Sequence, residues 1–321
     1  MSPGAISEYI KSLAATLGFD RCGIARAEPI GRSAYLRDWR DGGRCGSMEY
    51  LRRHFVQRAD PSAMMDGAKS IVVVAFLYHQ RAPVRSNEAD RRRGRVAMYA
   101  WGDDYHKVIK AKLFDMIDRM RAELPEPFNV KVCVDTTPLL EREVAAAAGI
   151  GWIGKNTLVL DHQLGSYFFL GALVTTLELT PDKPLPDRCG TCTACLDACP
   201  TNAFPAPYEM DASRCISYLT IEHRGRIPES LGGRMGEWIF GCDVCQQVCP
   251  YNRRAPQTRE PRFAIRSPGP EPVLDEILRW SVDDYRRQLR GSAMKRATLD
   301  MLKRNARIAT NNVEHTCERH P

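Results

Sequence analysis

Apolar residues recur with two different periodicities along the chain, and these divide it into predicted helices and strands. Between residues 5 and 17 they recur every three or four positions and Gly18 follows, which predicts an opening amphipathic helix. A second helical pattern follows His106 and ends before Pro125. The uninterrupted, β-branched run from Ser70 to Tyr78 instead predicts a strand that is covered on both faces.

The same patterns predict the remaining elements of a mixed α+β fold. Residues 129–134 and 166–179 predict two more strands, and the polar, basic residues 79–94 predict a loop. Pro138 is expected to open a helix, because proline is favoured at the first helical position. Residues 281–284 have the form of a capping box at the start of another helix.

The predicted domain organisation places a large α/β domain first and basic helices last. The helices after Pro270 are expected to end near Asn312, and Cys317 lies in a tail that we expect to be disordered. The predicted boundaries are 1–180 for the α/β domain, 181–255 for a cysteine-rich domain, 256–313 for the basic helices and 314–321 for the tail.

Eight cysteines stand in two runs with one residue between them. The first run has the spacing C-x2-C-x2-C-x3-C-P, the second has C-x2-C-x3-C-P, and a single cysteine separates them. In order, the residues are Cys189, Cys192, Cys195 and Cys199, then Cys215, then Cys242, Cys245 and Cys249. This is the spacing of ferredoxins that bind two [4Fe–4S] clusters, each held by four thiolates.

The spacing also predicts which thiolates share a cluster. Three closely spaced cysteines converge on one cube, whereas the fourth points away to the neighbouring cube. We therefore assign Cys189, Cys192, Cys195 and Cys249 to one cluster, and Cys199, Cys215, Cys242 and Cys245 to the other. The alternative is structural zinc, which would not use the third close cysteine or the following proline. Disulfides are disfavoured because the chain shows no secretory signal.

Composition and charge restrict the class of protein further. The chain has 321 residues, of which 44% are hydrophobic, and no apolar run approaches the roughly 20 residues that span a bilayer. We expect a soluble, cytoplasmic protein. The net charge of +7 is concentrated in residues 81–100, 251–270 and 285–308. These basic segments fit a nucleic acid partner, although a solvated arginine-rich surface is an open alternative.

The glycine-rich segment 149–157 nearly spells a phosphate-binding loop. Asn156 stands where the magnesium-binding hydroxyl of G-x-x-x-x-G-K-[ST] belongs. The segment also follows a predicted helix rather than a strand. We therefore expect no nucleotide site here.

Several longer motifs resemble one family. They include Y-A-W-G-D-D-Y-H at 99–106, V-D-T at 134–136, G-I-G-W-I-G-K-N at 149–156, G-S-Y with L-G at 165–171, R-C-I-S-Y-L-T-I-E-H-R-G-R-I-P at 214–228 and the segment 291–309. With the two cysteine runs, they closely resemble epoxyqueuosine reductases, cobalamin-dependent tRNA-modifying enzymes related to reductive dehalogenases. The likeness covers nearly the whole chain. Thr137 departs from it, because the family usually has glycine or alanine there, and longer members carry helical repeats where this chain stops.

The resemblance implies a cobalamin between a nitroreductase-like α/β domain and a ferredoxin-like two-cluster domain. One cluster would then lie near the cobalt and the other nearer the surface. The implied corrin contacts are Arg58, Met98, Asp135, Val159, Leu170, Ser217 and Asp243. Asp104-Tyr105-His106 begins like the cobalamin motif D-x-H-x-x-G, but Ile109 occupies its last position. A base-off cobalamin is therefore expected, with His106 capping or hydrogen-bonding at a helix start.

The resemblance also implies a reaction, the reduction of an epoxide on tRNA to an alkene. Opening the ring creates an alkoxide that needs a general acid, and Asp135 matches the family's proposed acid. To act as an acid at neutral pH, Asp135 would need a pKa raised by burial, to which the corrin face could contribute. The alternative is that Asp135 simply caps the following helix. The expected contacts with the anticodon stem-loop are His223, Arg224, Lys295, Arg296, Lys303 and Arg304.

The expected partners are this tRNA and an external low-potential electron donor such as a flavodoxin or ferredoxin, and the chain is expected to be a monomer. Two other functions remain open from the residues. A reductive dehalogenase would share the corrin and the clusters. A ferredoxin-like electron carrier would need only the cysteine-rich segment and would leave two-thirds of the chain without a role.

Overall fold

A four-stranded antiparallel sheet lies at the centre of the fold in the computed structural model, which describes residues 1–82 and 92–319. The strands are β1 Arg21–Arg26, β2 Ser70–Leu77, β3 Arg95–Val96, β4 Val130–Cys133, β5 Trp152–Ile153, β6 Val159–Leu160, β7 Phe168–Thr175 and β8 Trp238–Phe240. The helices are α1 Pro3–Thr16, α2 Ser33–Asp41, α3 Tyr50–Arg53, α4 Phe55–Ala59, α5 Tyr105–Glu123, α6 Glu141–Ala147, α7 Ala194–Asp197, α8 Ile216–Ile221, α9 Glu229–Gly232, α10 Val244–Gln247, α11 Leu274–Arg279, α12 Val282–Gln288 and α13 Leu299–Arg319.

The central sheet has the strand order β1-β2-β7-β4, and each neighbouring pair is antiparallel. Val72 of β2 lies opposite Ile24 of β1 and opposite Leu173 of β7. Leu173 also pairs with Val132 of β4. All eight residues of β2 are buried, so the predicted central strand is confirmed.

Helices cover both faces of this sheet. Because successive side chains of a strand point to opposite faces, Val72 and Val74 pack into one apolar cluster while Ile71 and Val73 pack into another. The first cluster contains residues of α1 and α5, and the second contains residues of α6. The prediction that the strand is covered on both sides is therefore confirmed, and the fold is mixed α and β.

The helix that was expected to open at Pro138 begins instead at Glu141. Asp135 adopts a φ of 55°, and the N–H of Leu139 bonds to the carbonyl of Thr137 at 2.7 Å. Pro138 therefore lies in the turn between β4 and α6. The strand expected over 166–179 is also shorter and spans Phe168–Thr175.

The expectation of a disordered tail from residue 314 is wrong for the backbone up to Arg319, because α13 continues through it. Residues 299–319 contain neither glycine nor proline, so a helix that has already formed extends at little cost. The side chain of Cys317 lies outside the described residues. So do residues 83–91, which include most of the predicted loop and part of the first basic segment.

The capping box predicted for α12 is confirmed. The Ser281 hydroxyl accepts from the backbone N–H of Asp284 at 3.1 Å, and the Asp284 carboxylate accepts from the backbone N–H of Ser281 at 2.9 Å. These bonds satisfy two donors that the first turn of a helix would otherwise leave without partners. Within the part of the chain described here, no helix combines the length and apolar character needed to cross a membrane.

The basic C-terminal helix is fixed to the cysteine-rich segment by a buried amide. Asn305 of α13 is 0% exposed, and its Nδ2 donates to the carbonyl of Thr220 at 3.0 Å and to that of Ile239 at 2.9 Å. These carbonyls belong to α8 and β8. One side chain therefore joins three elements.

Replacing this amide is expected to destabilise the fold. Asn305→Ala leaves two buried carbonyls without partners, which costs about 3 kcal/mol of the free energy of unfolding. Denaturant unfolding followed by circular dichroism measures this loss. Asn311→Ala, at an exposed position of the same helix, is the matched control and should change the free energy by less than about 0.5 kcal/mol. Equal stability of the two variants would contradict the structural role of Asn305.

Candidate active site

Three adjoining cavities meet at Asp135. The largest, of about 630 Å³, is lined by residues that include Tyr105, Cys215 and Arg296. A second, of about 370 Å³, and a third, of about 260 Å³, share Asp135 and Glu141 as walls. The two larger cavities also share Tyr99, Tyr105, Cys215 and Ser217. A carboxylate thus stands where the α/β domain faces the cysteine-rich segment.

The backbone at Asp135 is held in a left-handed conformation. Its φ of 55° is uncommon for residues other than glycine, although aspartate tolerates this region better than most. The backbone N–H of Asp135 donates to Oε1 of Glu141 at the start of α6. Strand β4 and the first residue of α6 together therefore fix the direction in which the Asp135 side chain leaves the chain.

The first turn of α5 supplies the hydrogen-bond partners of this carboxylate. Oδ2 of Asp135 accepts from the hydroxyl of Tyr105 at 3.0 Å and lies 3.0 Å from Nε2 of His106. Nδ1 of His106 lies 2.7 Å from Oδ1 of Asp104, the residue that caps α5. Tyr105 also stacks on Phe169 of β7, with ring centroids 4.3 Å apart. The imidazole therefore bridges two carboxylates.

This hydrogen-bonded bridge raises the pKa of His106 and lowers that of Asp135. Burial lowers the pKa of His106, but its hydrogen bonds to Asp104 and Asp135 and the charges of these carboxylates outweigh burial and raise the pKa to about 9. Burial raises the pKa of Asp135, but the hydrogen bond and charge of His106 and the hydrogen bond of Tyr105 lower it overall. Near neutral pH, without other groups in the cavity, the proton resides on His106 and Asp135 is ionised.

The pKa of Glu141 is shifted in the opposite direction from that of Asp135. Burial, followed by the charge of Asp135, raises the pKa of Glu141 to about 8. A carboxyl group with such a pKa is largely protonated near neutrality. Glu141 and Tyr105 were not predicted as members of this site, although the Asp104-Tyr105-His106 run carried a signal for Tyr105. His106 hydrogen-bonds at the start of a helix, as expected.

The neighbours of the predicted thiol ligands are compatible with the two sets that their spacing predicts, and the assignment of thiols to clusters stays a prediction. Cys215, Cys242 and Cys245 line the 370 Å³ cavity together with Asp135. Cys199 belongs with them, since its charge raises the pKa of Cys215 after the effect of burial. We call Cys199, Cys215, Cys242 and Cys245 the inner cysteines.

The other four thiols lie away from that cavity. Burial, followed by the charges of Cys249, Cys189 and Cys192, raises the pKa of Cys195 to about 11, so the four are neighbours. Cys192 is exposed. We call Cys189, Cys192, Cys195 and Cys249 the outer cysteines.

Of the predicted corrin contacts, all but Met98 line the cavities that meet at Asp135. Val159, Leu170, Ser217 and Asp243 line the 370 Å³ cavity, and Arg58 lines the other two. Met98 lines a separate cavity of about 410 Å³. Its backbone N–H donates to Oδ2 of Asp243 at 2.7 Å, and this hydrogen bond links Met98 to the site.

Two buried donors at these walls have no hydrogen-bond partner among the residues that the structure describes. They are Nε of Arg58 and Nδ2 of Asn156, whose residues are 7% and 3% exposed. Buried polar groups normally have hydrogen-bond partners, so unpartnered donors at a cavity wall suit a ligand that carries acceptors.

The predicted tRNA contacts occupy different environments. Arg224 and Lys295 are exposed, and Lys303 is half-buried. Arg296 lines the 630 Å³ cavity and binds Glu222 through two bonds of 2.8 Å. His223 bonds through Nε2 to the carbonyl of Arg226 at 3.0 Å.

Arg304 binds backbone carbonyls, a structural role that its positive charge alone did not predict. Its guanidinium donates to the backbone carbonyls of Leu219, His223 and Gly225 at 2.6 to 2.7 Å. These bonds hold the loop that presents His223 and Arg224. Arg304 therefore positions this loop, whereas Arg224 and Lys295 have the exposure that contact with a phosphate requires.

The raised pKa of His106 predicts a pH dependence of stability. Because the folded value of about 9 exceeds the reference value of 6.5, the stabilisation is complete below about pH 6.5 and is lost as the pH rises through about 9. The slope can reach about 1.4 kcal/mol per pH unit. The melting temperature, measured between pH 6 and 10, should therefore fall less in His106→Gln than in the native chain. His162→Gln, at an exposed histidine, is the control, and parallel curves for His106→Gln and the native chain would contradict the bridge.

Comparison with known proteins agrees with these features. Residues 58–136 match the family model described as "Epoxyqueuosine reductase QueG, DUF1730", and residues 188–252 match that of a "4Fe-4S double cluster binding domain". The epoxyqueuosine reductase of Xanthomonas campestris is 40% identical over 312 residues, which are 97% of this chain and 88% of the relative. That of Leadbetterella byssophila is 42% identical over 301 residues, covering 93% and 96%.

A solved structure is similar over the same extent. It is an epoxyqueuosine reductase crystallised with an epoxyqueuosine-modified stem loop of a tyrosine tRNA. Its TM-score is 0.88 at 31% identity, and the match covers 96% of this chain and 81% of that one. The chain therefore belongs to the epoxyqueuosine reductase family.

Proposed function

We propose that this chain reduces the epoxide of epoxyqueuosine, at the wobble position of a tRNA anticodon, to the alkene of queuosine. The observation that carries the proposal is the position of Asp135, which lines the same cavity as the inner cysteines. A proton donor and an electron source can therefore act on one substrate. The family membership and the relative solved with a modified tRNA stem loop support this substrate.

We propose two [4Fe–4S] clusters, one bound by the inner and one by the outer cysteines. The donor sets fit, because each supplies four neighbouring thiols and the segment matches a double-cluster family model. An external low-potential donor, such as a flavodoxin or ferredoxin, would deliver electrons to the outer cluster, beside the exposed Cys192. We propose further that the chain acts as a monomer in the cytoplasm.

We propose that the cavities that meet at Asp135 hold cobalamin. The unpartnered donors of Arg58 and Asn156 fit a corrin whose rim carries amide groups, and Val159 and Leu170 offer apolar contact. Bound there, cobalamin would supply low-potential electrons to the epoxide. His106 has both ring nitrogens engaged by carboxylates at 2.7 and 3.0 Å, which supports a base-off cofactor without a histidine ligand.

The chain's own residues would handle the protons of the reaction. Reduction of an epoxide to an alkene consumes two electrons and two protons and releases water. Asp135 would take a proton from Nε2 of His106 and deliver it to the departing oxygen, because its carboxylate lies open to the cavity, with 58% of the side chain exposed. His106 would then take up the second proton from solvent and pass it along the same hydrogen bond, and the Tyr105 hydroxyl would hold the carboxylate in place.

Removing the acid should separate catalysis from assembly. Asp135→Asn is expected to keep cobalamin and both clusters but to lower turnover at least about 100-fold, the usual range for a general acid. Turnover is measured as queuosine formed in an anticodon stem-loop, and assembly as iron and corrin content. Asp118→Asn, an exposed aspartate on α5, is the control. Normal turnover in Asp135→Asn would rule out its role.

We propose that exposed cations near the 630 Å³ cavity bind the anticodon stem-loop. Arg296 and Tyr50 line this cavity, and the exposed Arg224 and Lys295 lie in neighbouring segments. Unpaired bases of an anticodon loop can be splayed out and stacked on aromatic rings, whereas phosphates are bound by exposed cations. Arg304 would act indirectly, through the loop that it positions.

The electrostatic part of this binding predicts a salt dependence. Affinity for the stem-loop should fall steeply as salt concentration rises, and Arg224→Ala or Lys295→Ala should each reduce the slope of the log–log plot by roughly one unit. Fluorescence anisotropy across a salt series measures the slope. Arg121→Ala, an exposed arginine of α5, should leave it unchanged. Binding that is insensitive to salt would contradict the proposed contacts.

A further inference from the structure

Apart from Asn156, which lines the 370 Å³ cavity, the glycine-rich loop of residues 149–156 contributes no residue to the proposed reaction. It carries β5, which pairs with β6, and its backbone packs closely against neighbouring backbone. A Cβ on Gly151 would lie 2.2 Å from the carbonyl oxygen of Leu160. A Cβ on Gly149, whose φ is 71°, would lie 2.7 Å from the carbonyl oxygen of Lys183. Close packing therefore accounts for glycine at these two positions, and it leaves Trp152 and Lys155 of the same loop to be explained.

Lys155 connects this loop to the outer cysteines. Its Nζ donates to the carbonyl of Gly190 at 2.7 Å and to that of Cys192 at 3.0 Å. Both carbonyls belong to the turn that carries the outer cysteines of the first run. The ammonium group of Lys155, which lies outside the double-cluster segment, therefore binds this turn.

Trp152 lies on the inner side of the same loop. It is 2% exposed and packs in one apolar cluster with Cys249, Cys189 and Tyr251. Its Nε1 is buried and has no hydrogen-bond partner within residues 1–82 and 92–319. By contrast, the indole nitrogens of Trp39 and Trp101 donate to carbonyls at 2.6 and 2.8 Å. Because an unsatisfied buried donor costs about 1–3 kcal/mol, an acceptor outside the polypeptide is expected beside Trp152.

We propose that the loop 149–156 sets the reduction potential of the outer cluster. Trp152 donates its indole N–H to a sulfur of that cluster, and Lys155 fixes the cysteine turn while placing a positive charge beside it. Both effects favour the reduced cluster, because hydrogen bonds to sulfur and nearby cations stabilise the added electron. The inference rests on the proposed ligand set of the outer cysteines, and it assigns a function to a motif that lies outside the ligand-bearing segment.

Potentiometric titration followed by EPR tests this assignment on the anaerobically prepared holoenzyme. Trp152→Phe keeps the ring packing and removes the donor, and Lys155→Gln removes the charge. Each is expected to make the midpoint potential of one cluster more negative and to leave the other unchanged. Trp280→Phe and Lys107→Gln, at a buried tryptophan and an exposed lysine elsewhere, are matched controls that should leave both midpoints unchanged.

The results of these titrations distinguish a failure of this inference from a failure of the proposed cluster ligands. Unchanged midpoints in both variants, with eight iron atoms still bound, would overturn the inference alone. Fewer than eight iron atoms in the native chain would overturn the ligand proposal instead. If Lys155→Gln loses one cluster and Lys155→Arg regains it, the positioning role is supported.

A measurement on the native sequence does not depend on any variant remaining intact. With ¹⁵N in the tryptophan indoles, pulsed EPR of the reduced holoenzyme is expected to detect a nitrogen coupled to one cluster. Exchange into deuterated water should also alter the coupling of its N–H proton. Absence of both signals would overturn the hydrogen bond from Trp152.

Discussion

The hydrogen bonds between Asp135 and the first turn of α5 join elements that lie far apart in the sequence, and the candidate site exists only where they meet. The positions of Asp135 and Tyr105 both depend on β7. The strand before Asp135 pairs with β7, and Tyr105 stacks on Phe169 of β7 with only 7° between the rings. A register shift of one residue would turn Phe169 to the other face of the sheet. The antiparallel pairing of the central sheet therefore sets the geometry of the proposed acid.

The opposite wall of the cavity is held by a second set of buried polar contacts. Ser166, just before β7, donates to Gln246 at 2.9 Å and accepts from Asn252 at 2.9 Å, and both partners belong to the cysteine-rich segment. Asp243, between two inner cysteines, accepts from the N–H of Met98 at 2.7 Å. Since these groups satisfy one another, separating the two parts of the chain would leave several buried polar groups without partners. The inner cysteines and the proposed acid are thereby held at a fixed separation.

The residues that could be predicted from sequence are those with a local signature. Cysteine spacing predicted the double-cluster segment, periodicity predicted the buried strand β2, and the local sequence at Ser281 predicted the capping box. Glu141 and Arg304 could not be assigned in this way, because their roles depend on backbone groups that only folding brings near. Glu141 accepts from the N–H of a residue in a left-handed turn, and Arg304 binds carbonyls about 80 positions away. In a basic helix, composition does not distinguish such an arginine from one that is free to bind a phosphate.

The division of pKa values between Asp135 and His106 suggests why the proposed acid needs a histidine. A lone carboxylate facing an open cavity would be ionised near neutral pH and would have no proton to give. Here the proton is stored on the imidazole, 3.0 Å away. Removing water acts oppositely on the two groups, raising the pKa of a carboxyl and lowering that of an imidazole. Filling the cavity with cofactor and substrate would therefore favour transfer of the proton from Nε2 to Oδ2. The acid would then form only when an oxygen is present to receive its proton.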